Sequence, residues 1–157
     1  MSDPVSGFAR EALLAAPPLC AQRRVVRFQE VDAAALIFYG RVYDYFHDVY
    51  VEWLALHGVL LHELVKSREW VAPIRRAETE YVSPMRFGDA ITVAVVRAGF
   101  DRGDLHVGYR IEDSAGRPTA IGHTVHAVID PVTFKRTEPP AAFRASVDKG
   151  VVARVVP

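Results

Sequence analysis

The residue in this sequence whose type and surroundings best suit nucleophilic or acid–base chemistry is Asp32. It follows a segment rich in Val and Phe, Arg23–Glu30, and precedes the apolar run Ala33–Tyr39. A carboxylate in such surroundings is costly to bury unless it is paired, capped or used in a reaction. Two interpretations stay open on spacing alone. Asp32 is either the N-cap of a helix, which is the more common role, or a functional carboxylate.

Two acidic residues, Glu78 and Glu80, form a second candidate because they share one face of a predicted strand. Paired carboxylates can do acid–base work. A solvated, ion-paired face is nevertheless favoured, because basic residues flank the pair at Arg75, Arg76 and Arg86.

A metal site or a glycine-rich phosphate-binding loop is not indicated by the sequence. His123 and His126 are three residues apart in a predicted strand, so they point to opposite faces and cannot share a metal ion. Their expected role is that of hydrogen-bonded or exposed histidines. Neither a P-loop nor a dinucleotide-binding glycine pattern occurs, so we predict no resident cofactor.

A long helix over Arg41–Gly58 is the main element expected near Asp32. Its apolar residues recur at helical spacing at Val42, Phe46, Val49, Trp53 and Leu56. Further aromatic residues widen this stripe beyond one face, which predicts burial on several sides. The preceding segment, Arg23–Glu30, is predicted to be the first strand.

The rest of the chain is predicted to be mainly β. A short helix over Leu60–Ser67 leads into four strands joined by tight turns, over Trp70–Val82, Ala90–Ala98, Leu105–Ile111 and Pro118–Ile129. Connections of hairpin length predict antiparallel neighbours, so the fold class is α+β, with about five strands around one long helix. We expect an N-terminal arm over 1–22, a domain over 23–147 that ends in a short helix, and a tail over 148–157. The tail is either frayed or an extra edge strand.

Composition restricts the protein to an ordinary globular class. Of 157 residues, 50% are hydrophobic and 24% are charged, and a single cysteine excludes an internal disulfide. Nineteen basic residues balance nineteen acidic ones, so bulk attraction to nucleic acid or to an anionic membrane is not supported. The N-terminus has no signal-peptide pattern, and we expect a cytoplasmic protein. The uncovered sheet face and edges indicate self-association.

The segment Val26–Tyr39 resembles the signature of the 4-hydroxybenzoyl-CoA thioesterase family of hot-dog proteins. In that signature a strand ends in an acidic residue, and Asp, a small-residue pair, an aliphatic pair and an aromatic-Tyr precede the long helix. The helix pattern around His47-Asp48 and the later pattern Tyr81-x-x-Pro84-x-x-x-Gly88-Asp89 are also similar to the family. The resemblance extends from about Arg23 to Pro140.

This resemblance implies a hot-dog fold and a thioesterase. Asp32 lies at the position of the family's catalytic carboxylate, and Tyr39 lies where the family uses a backbone N–H to polarise the thioester carbonyl. The substrate-binding positions correspond to Tyr45 and His47, and Arg102 is expected to contact a CoA phosphate. In such proteins the acyl pocket lies at a dimer interface, so a homodimer or a dimer of dimers (a homotetramer) is expected.

The sequence departs from the 4-hydroxybenzoyl branch near Asp32. Ala35 replaces the family's Gly, and Gly40 stands where that branch commonly has Pro. Tyr45 and His47 do not reproduce its Trp and Asp, and the helix pattern is closer to the dihydroxynaphthoyl-CoA and general acyl-CoA branches. We therefore expect hydrolysis of an acyl- or aroyl-CoA. The alternatives are an acyl-carrier-protein thioesterase and a non-catalytic acyl-CoA-binding protein, which Ala35 would favour.

Overall fold

The computed structural model describes residues 7–150 and the backbone of residues 154–156. The helices and strands occur in the order α1 (Arg10–Ala15), β1 (Cys20–Val25), α2 (Arg41–Leu56), α3 (Leu61–Ser67), β2 (Ile74–Tyr81), β3 (Ala90–Asp101), β4 (Asp104–Asp113), β5 (Pro118–Ala127), α4 (Ala141–Lys149) and β6 (Arg154–Val156). These elements cross both predicted domain limits, because β1 begins at Cys20 and α4 ends at Lys149.

One sheet contains all six of these strands, in the order β2-β5-β4-β3-β1-β6. Strands β1 to β5 pair in antiparallel fashion, and β6 pairs in parallel with β1. The predicted α+β class and the antiparallel sheet of about five strands are therefore confirmed. Of the two alternatives for the C-terminal tail, the described backbone has the extra edge strand.

The expectation that consecutive strands are neighbours is wrong for β2 and β3. Strand β2 pairs with β5 at the other side of the sheet, from Ile74 opposite His126 to Tyr81 opposite Ala120. The connection between β2 and β3 is longer than a hairpin turn, and it crosses the end of the sheet. The N–H of Val82 donates to the carbonyl of Thr119 at 2.8 Å during this crossing. One edge of β2 is consequently unpaired among the described residues.

The predicted first strand, Arg23–Glu30, is also wrong in its limits. The chain leaves the sheet after Val25, and Phe28–Glu30 forms a 3-10 turn. The side chain of Glu30 accepts a hydrogen bond from the backbone N–H of Arg27 at 2.8 Å, and this bond closes the turn. A strand would have directed that N–H to a neighbouring strand instead.

Helix α2 lies in the core, as its wide apolar stripe predicted. Its buried residues are Val42, Tyr45, Phe46, Val49, Tyr50, Trp53 and Leu54. The ring of Phe46 lies against Gly122 of β5 so closely that a Cβ at position 122 would overlap it. The helix is followed by Gly58 with a φ of +78°, the left-handed conformation that glycine tolerates. Within the described residues, no helix is long and apolar enough to cross a membrane.

Helix α1, in the predicted N-terminal arm, packs against the sheet face opposite α2. Leu13 is buried there, over the bare backbone of Gly108. Arg110 of β4 donates from Nη1 to the carbonyls of Leu13, Leu14 and Ala16, at 2.9, 3.1 and 2.7 Å. These are C-terminal carbonyls of a helix, which lack partners within the helix. The described part of the arm is therefore integral to the fold.

Candidate active site

Asp32 lies in a tight turn that is closed by pairing of the backbone on either side of it. Val31 pairs with Ile37, and the N–H of Asp32 donates to the carbonyl of Leu36 at 2.9 Å. Its own carbonyl accepts a hydrogen bond from the N–H of Ala35 at 3.0 Å. The N-cap interpretation of Asp32 is wrong, because helix α2 begins nine residues later, at Arg41. The carboxylate is instead exposed at the end of a turn.

Ala35 takes a conformation that is unusual for its residue type. Its φ is +59°, in the left-handed region where a Cβ costs roughly 1–2 kcal/mol. The resemblance described above has Gly at this position. Ala35 therefore keeps the backbone shape that Gly would take, at the expense of local strain.

The two oxygens of the Asp32 carboxylate differ in their surroundings. Oδ1 accepts a hydrogen bond from the N–H of Ala34 at 2.8 Å. Oδ2 has no protein donor among the described residues. One oxygen is thus oriented by the backbone, and the other is open to a substrate or to water.

Tyr39 lies where the chain enters helix α2, and its side chain is 66% exposed. The carbonyl of Phe38 accepts a hydrogen bond from the N–H of Arg41 at 2.9 Å, which orients the peptide unit between Phe38 and Tyr39. Within the described part of the chain, the N–H of Tyr39 has no acceptor. A free N–H at a helix N-terminus can donate to a developing negative charge.

Strand β2 contributes Tyr81, which in the sequence is visible only as the first residue of the pattern Tyr81-x-x-Pro84-x-x-x-Gly88-Asp89. Its hydroxyl donates to the carbonyl of Tyr39 at 2.6 Å. Burial is the main cause that raises the pKa of Tyr81, with smaller effects from Tyr43 and Tyr39, so the hydroxyl keeps its proton. This bond connects the sheet edge to the entrance of helix α2.

A buried carboxylate two residues before Asp32, Glu30, was missed as a functional candidate. Glu30 is 4% exposed, and Arg27 donates to its Oε1 from Nη2 at 2.8 Å and from Nε at 3.1 Å. Tyr45 donates to Oε2 at 2.6 Å. Burial opposes ionisation, but the donors from Arg27 and Tyr45 outweigh it and lower the pKa of Glu30 to about 2. The sequence signal that could have identified Glu30 is the acidic residue that ends the first strand in the family signature.

The predicted substrate contact at Tyr45 is not supported by its placement. Tyr45 is fully buried, and its hydroxyl is used by Glu30. The guanidinium of Arg24 lies 3.9 Å from the centre of its ring. A substrate cannot reach this side chain within one protomer, because Arg24, Glu30 and the helix enclose it.

His47 and Arg102 are both exposed, in different places. His47 lies on α2, about 9 Å along the axis from Arg41 at 1.5 Å per residue. Arg102 lies in the turn between β3 and β4, next to a surface cavity of about 220 Å³ that Arg136 also lines. Strand β3 starts beside Val25 and is on the order of 35 Å long at about 3.3 Å per residue. One protomer therefore places Arg102 at the end of the sheet opposite Asp32.

The strand histidines lie on opposite faces, as predicted. His126 stacks on Tyr50 of α2, with ring centres 4.7 Å apart, and His123 stacks on Phe8 near α1, at 4.5 Å. Burial is the main cause that lowers the pKa of His126 to about 4, so its ring is neutral. No three His, Cys, Asp or Glu residues in the described ranges are grouped to hold a metal ion.

The predicted ion-paired face of β2 is confirmed. Glu80 pairs with Arg10 of α1 at 2.7 Å, and Glu78 pairs with Arg76 at 2.8 Å. Glu78 also accepts from His123 Nδ1 at 3.3 Å. Both carboxylates are therefore committed to neighbours on the sheet face opposite α2.

Comparison with known proteins identifies relatives across most of the chain. A family model described as the thioesterase-like superfamily matches residues 26–147. The 1,4-dihydroxy-2-naphthoyl-CoA hydrolase of Synechococcus elongatus is 27% identical over 119 residues, covering 75% of this chain and 87% of the relative. The hydrolase of the same description from Thermosynechococcus vestitus is 27% identical over 109 residues, covering 69% and 75%.

Solved structures share the fold at lower sequence identity. A 1,4-dihydroxy-2-naphthoyl-CoA thioesterase from Synechocystis has a TM-score of 0.75 and 18% identity, covering 82% of this chain and 94% of its own. A Staphylococcus aureus protein solved in complex with CoA has a TM-score of 0.77 and 18% identity, covering 90% of each chain. The arrangement of helix α2 and the sheet is therefore a recurrent architecture.

Proposed function

This chain belongs to the thioesterase-like superfamily of hot-dog proteins, and on that premise we propose that it hydrolyses a CoA thioester. The exposed Asp32 carboxylate carries this proposal, because it combines one oriented oxygen with one open oxygen. It lies in the same short loop that leads to the free N–H at the entrance of helix α2. Those two groups are what hydrolysis of a thioester requires: a base or nucleophile, and a donor for the oxyanion.

The substrate class that we favour is an aroyl-CoA related to 1,4-dihydroxy-2-naphthoyl-CoA. The curated relatives that span most of the chain have that activity by name. A 4-hydroxybenzoyl group is less favoured, because Tyr45 and His47 do not match the aryl-binding Trp and Asp of that branch. Aliphatic acyl-CoA esters are the second class to be tested.

The reaction can begin at Asp32 in either of two ways. As a nucleophile, a carboxylate oxygen attacks the thioester carbon, the C–S bond breaks and the CoA thiolate leaves; water then hydrolyses the mixed anhydride. As a general base, Asp32 takes a proton from water, whose oxygen attacks the same carbon, and the CoA thiolate again leaves. Both routes give the free acid and CoA.

The developing oxyanion would be stabilised by the backbone N–H of Tyr39. The helix dipole of α2 adds partial positive charge at this end. Removing one donor of this kind from an oxyanion hole typically costs about 10²–10³ in kcat. A backbone donor that lacks another acceptor is suited to this role, because it needs no rearrangement when charge develops.

Two further contacts are proposed with the substrate. His47, exposed on α2, would contact the acyl group, and Arg102 would contact a CoA phosphate. Arg102 lies at the opposite end of β3 from Asp32, so we propose that it acts on substrate bound at another copy of the chain. The neighbouring guanidinium of Arg136 lines the same cavity but pairs with Asp104 at 2.7 Å, so the proposed phosphate contact rests on Arg102.

We propose that the working unit is a homodimer or a dimer of dimers. The outer edge of β2 is unpaired among the described residues, and an edge of this kind is a template for strand pairing. Exposed apolar residues lie around the same edge and the entrance of α2, namely Phe38, Tyr39, Ile74 and Tyr81. A second copy that covers them would also enclose the acyl group and exclude water.

The test is release of free thiol from a panel of CoA esters, with 1,4-dihydroxy-2-naphthoyl-CoA, benzoyl-CoA and aliphatic acyl-CoA esters as members. Asp32→Asn should lower kcat at least about 100-fold, in the range expected for loss of a general base. Asp148→Asn, an exposed carboxylate on α4, is the matched control and should retain wild-type turnover.

The outcomes separate the alternatives. Tight binding of acyl-CoA without thiol release would indicate a non-catalytic binding protein. Faster hydrolysis of a matched acyl-carrier-protein thioester would move the substrate to that class. Full activity of Asp32→Asn would show that Asp32 does not take part in the reaction.

A further inference from the structure

The buried pair of Glu30 and Tyr45 has no direct access to substrate, yet it lies immediately behind the loop that carries Asp32. Glu30 is two residues before Asp32, and Tyr45 is in the second turn of α2. Their side chains form a 2.6 Å hydrogen bond from the Tyr45 hydroxyl to Oε2. Because both are almost completely buried, this bond is shielded from competing water.

The backbone of Glu30 closes the base of the same loop. Its carbonyl accepts a hydrogen bond from the N–H of Phe38 at 2.8 Å. Phe38 directly precedes Tyr39, whose N–H is the proposed oxyanion donor. Glu30 is thus tied to both proposed reacting groups, by two residues of chain to Asp32 and by one hydrogen bond to the neighbour of Tyr39.

The side chain of Glu30 fixes this loop to three separate segments. Arg27 binds Oε1 from the linker after β1, and Arg24 of β1 lies 3.8 Å from the same oxygen. Tyr45 binds Oε2 from α2. Arg24 also pairs with Asp48 of α2 at 3.0 Å. The network therefore connects strand β1, the loop and the central helix at a single ionised carboxylate.

We propose that Glu30 and Tyr45 are a positioning pair, which holds the Asp32 turn and the Tyr39 N–H in the relative placement that the reaction needs. This inference rests on the proposed thioesterase function and extends it to residues that do not contact substrate. A buried ion pair is by itself weak evidence for stability, since well-packed apolar residues often replace it without loss. A role in placement gives a reason for a buried charge here, because a misplacement of about 1 Å can cost about 100-fold in rate.

The test measures kcat and KM for Tyr45→Phe, Glu30→Gln and the double variant, on a CoA ester that the wild type hydrolyses. Each single variant should lower kcat about 10- to 100-fold, with KM within about twofold of wild type, because substrate contacts are intact. If both residues act through one hydrogen bond, the double variant should lose about as much as one single variant and not the product. Assays are run where denaturation curves show each variant to be fully folded.

Tyr109→Phe is the matched control. Tyr109 is also buried, and its hydroxyl hydrogen-bonds to Thr124 at 3.0 Å, away from the Asp32 loop. Removal of the Tyr109 hydroxyl should lower the free energy of unfolding but leave kcat unchanged. A purely structural role for Glu30 and Tyr45 predicts the same behaviour for Tyr45→Phe, and full kcat in that folded variant would overturn the proposal. If the wild-type protein hydrolyses none of the CoA esters in the panel, the proposed thioesterase function itself is contradicted.

Discussion

Protonation of Glu30 should weaken the fold in acid, and the structure gives both the direction and the size of the effect. The donors around this carboxylate lower its pKa from 4.5 to about 2 in the folded protein. A group with a lowered folded pKa contributes stability that is complete above its unfolded pKa. That stability is lost as the pH falls through the folded value. The window for Glu30 is therefore between about pH 4.5 and pH 2.

The size follows from 1.36 kcal/mol for each unit of pKa difference. The difference between 4.5 and about 2 corresponds to about 3 kcal/mol at neutral pH, and the same linkage leaves about 2 kcal/mol at pH 3.5. Glu30→Gln keeps the shape of the side chain but removes the titrating charge. The free energy of unfolding should therefore differ between wild type and Glu30→Gln by up to about 3 kcal/mol at pH 6.5, and by about 1 kcal/mol less at pH 3.5.

Urea denaturation of both proteins at a series of pH values between 6.5 and 3.5 measures this difference. Glu138→Gln is the matched control, because Glu138 forms an exposed ion pair with Arg144 at 3.1 Å. Exposed pairs contribute about 0–1 kcal/mol, so this variant should stay close to wild type. A difference between wild type and Glu30→Gln that stays constant with pH would refute the reasoning, since it would show that the charge of Glu30 is not its source.

Two backbone positions give further predictions. Ala35→Gly should raise the free energy of unfolding by about 1 kcal/mol, because glycine releases the strain of the left-handed conformation. Ala33→Gly in the same turn is the control and should lower the free energy of unfolding by about 0.5–1 kcal/mol. Thermal denaturation measures both variants, and equal effects would contradict the strain at Ala35. Gly122→Ala should lower the free energy of unfolding by about 1–3 kcal/mol, because the added Cβ overlaps the ring of Phe46. Gly99→Ala is its control, because no other described residue lies within 4 Å of a Cβ at that position, and matching losses would contradict the overlap.

Much of the fold was predictable because it depends on local patterns. The apolar stripe of α2 is visible in the sequence, and the short links between β3, β4 and β5 predict the antiparallel pairing that these strands have. The pairing of β2 with β5 was not predictable in this way. It depends on a connection that crosses the end of the sheet, where the partner of each strand is decided by packing around α2 and not by the length of the link alone.

The site was predictable only in part for a similar reason. The pattern around Asp32 drew attention to this segment, but it assigned Glu30 to the end of a strand, whereas Glu30 lies in a 3-10 turn. Whether a carboxylate is buried or exposed depends on Arg27, which is local, and on Tyr45, which is fifteen residues away. Sequence spacing shows that these residue types are present, and only the folded chain shows that they meet.

Glu30 and Asp32, two residues apart, are carboxylates in opposite environments, which suits the different roles that we propose for them. Glu30 has donors on both oxygens and little contact with water, so it is a fixed anion that binds the loop to α2. Asp32 is exposed and has one donor among the described residues, so its second oxygen is open for the role that we propose. An exposed carboxylate on a freely moving turn would lose the rate advantage that comes from placement. In our proposal the buried carboxylate supplies this restraint, and for this reason we expect substitutions at Glu30 to affect kcat as well as stability.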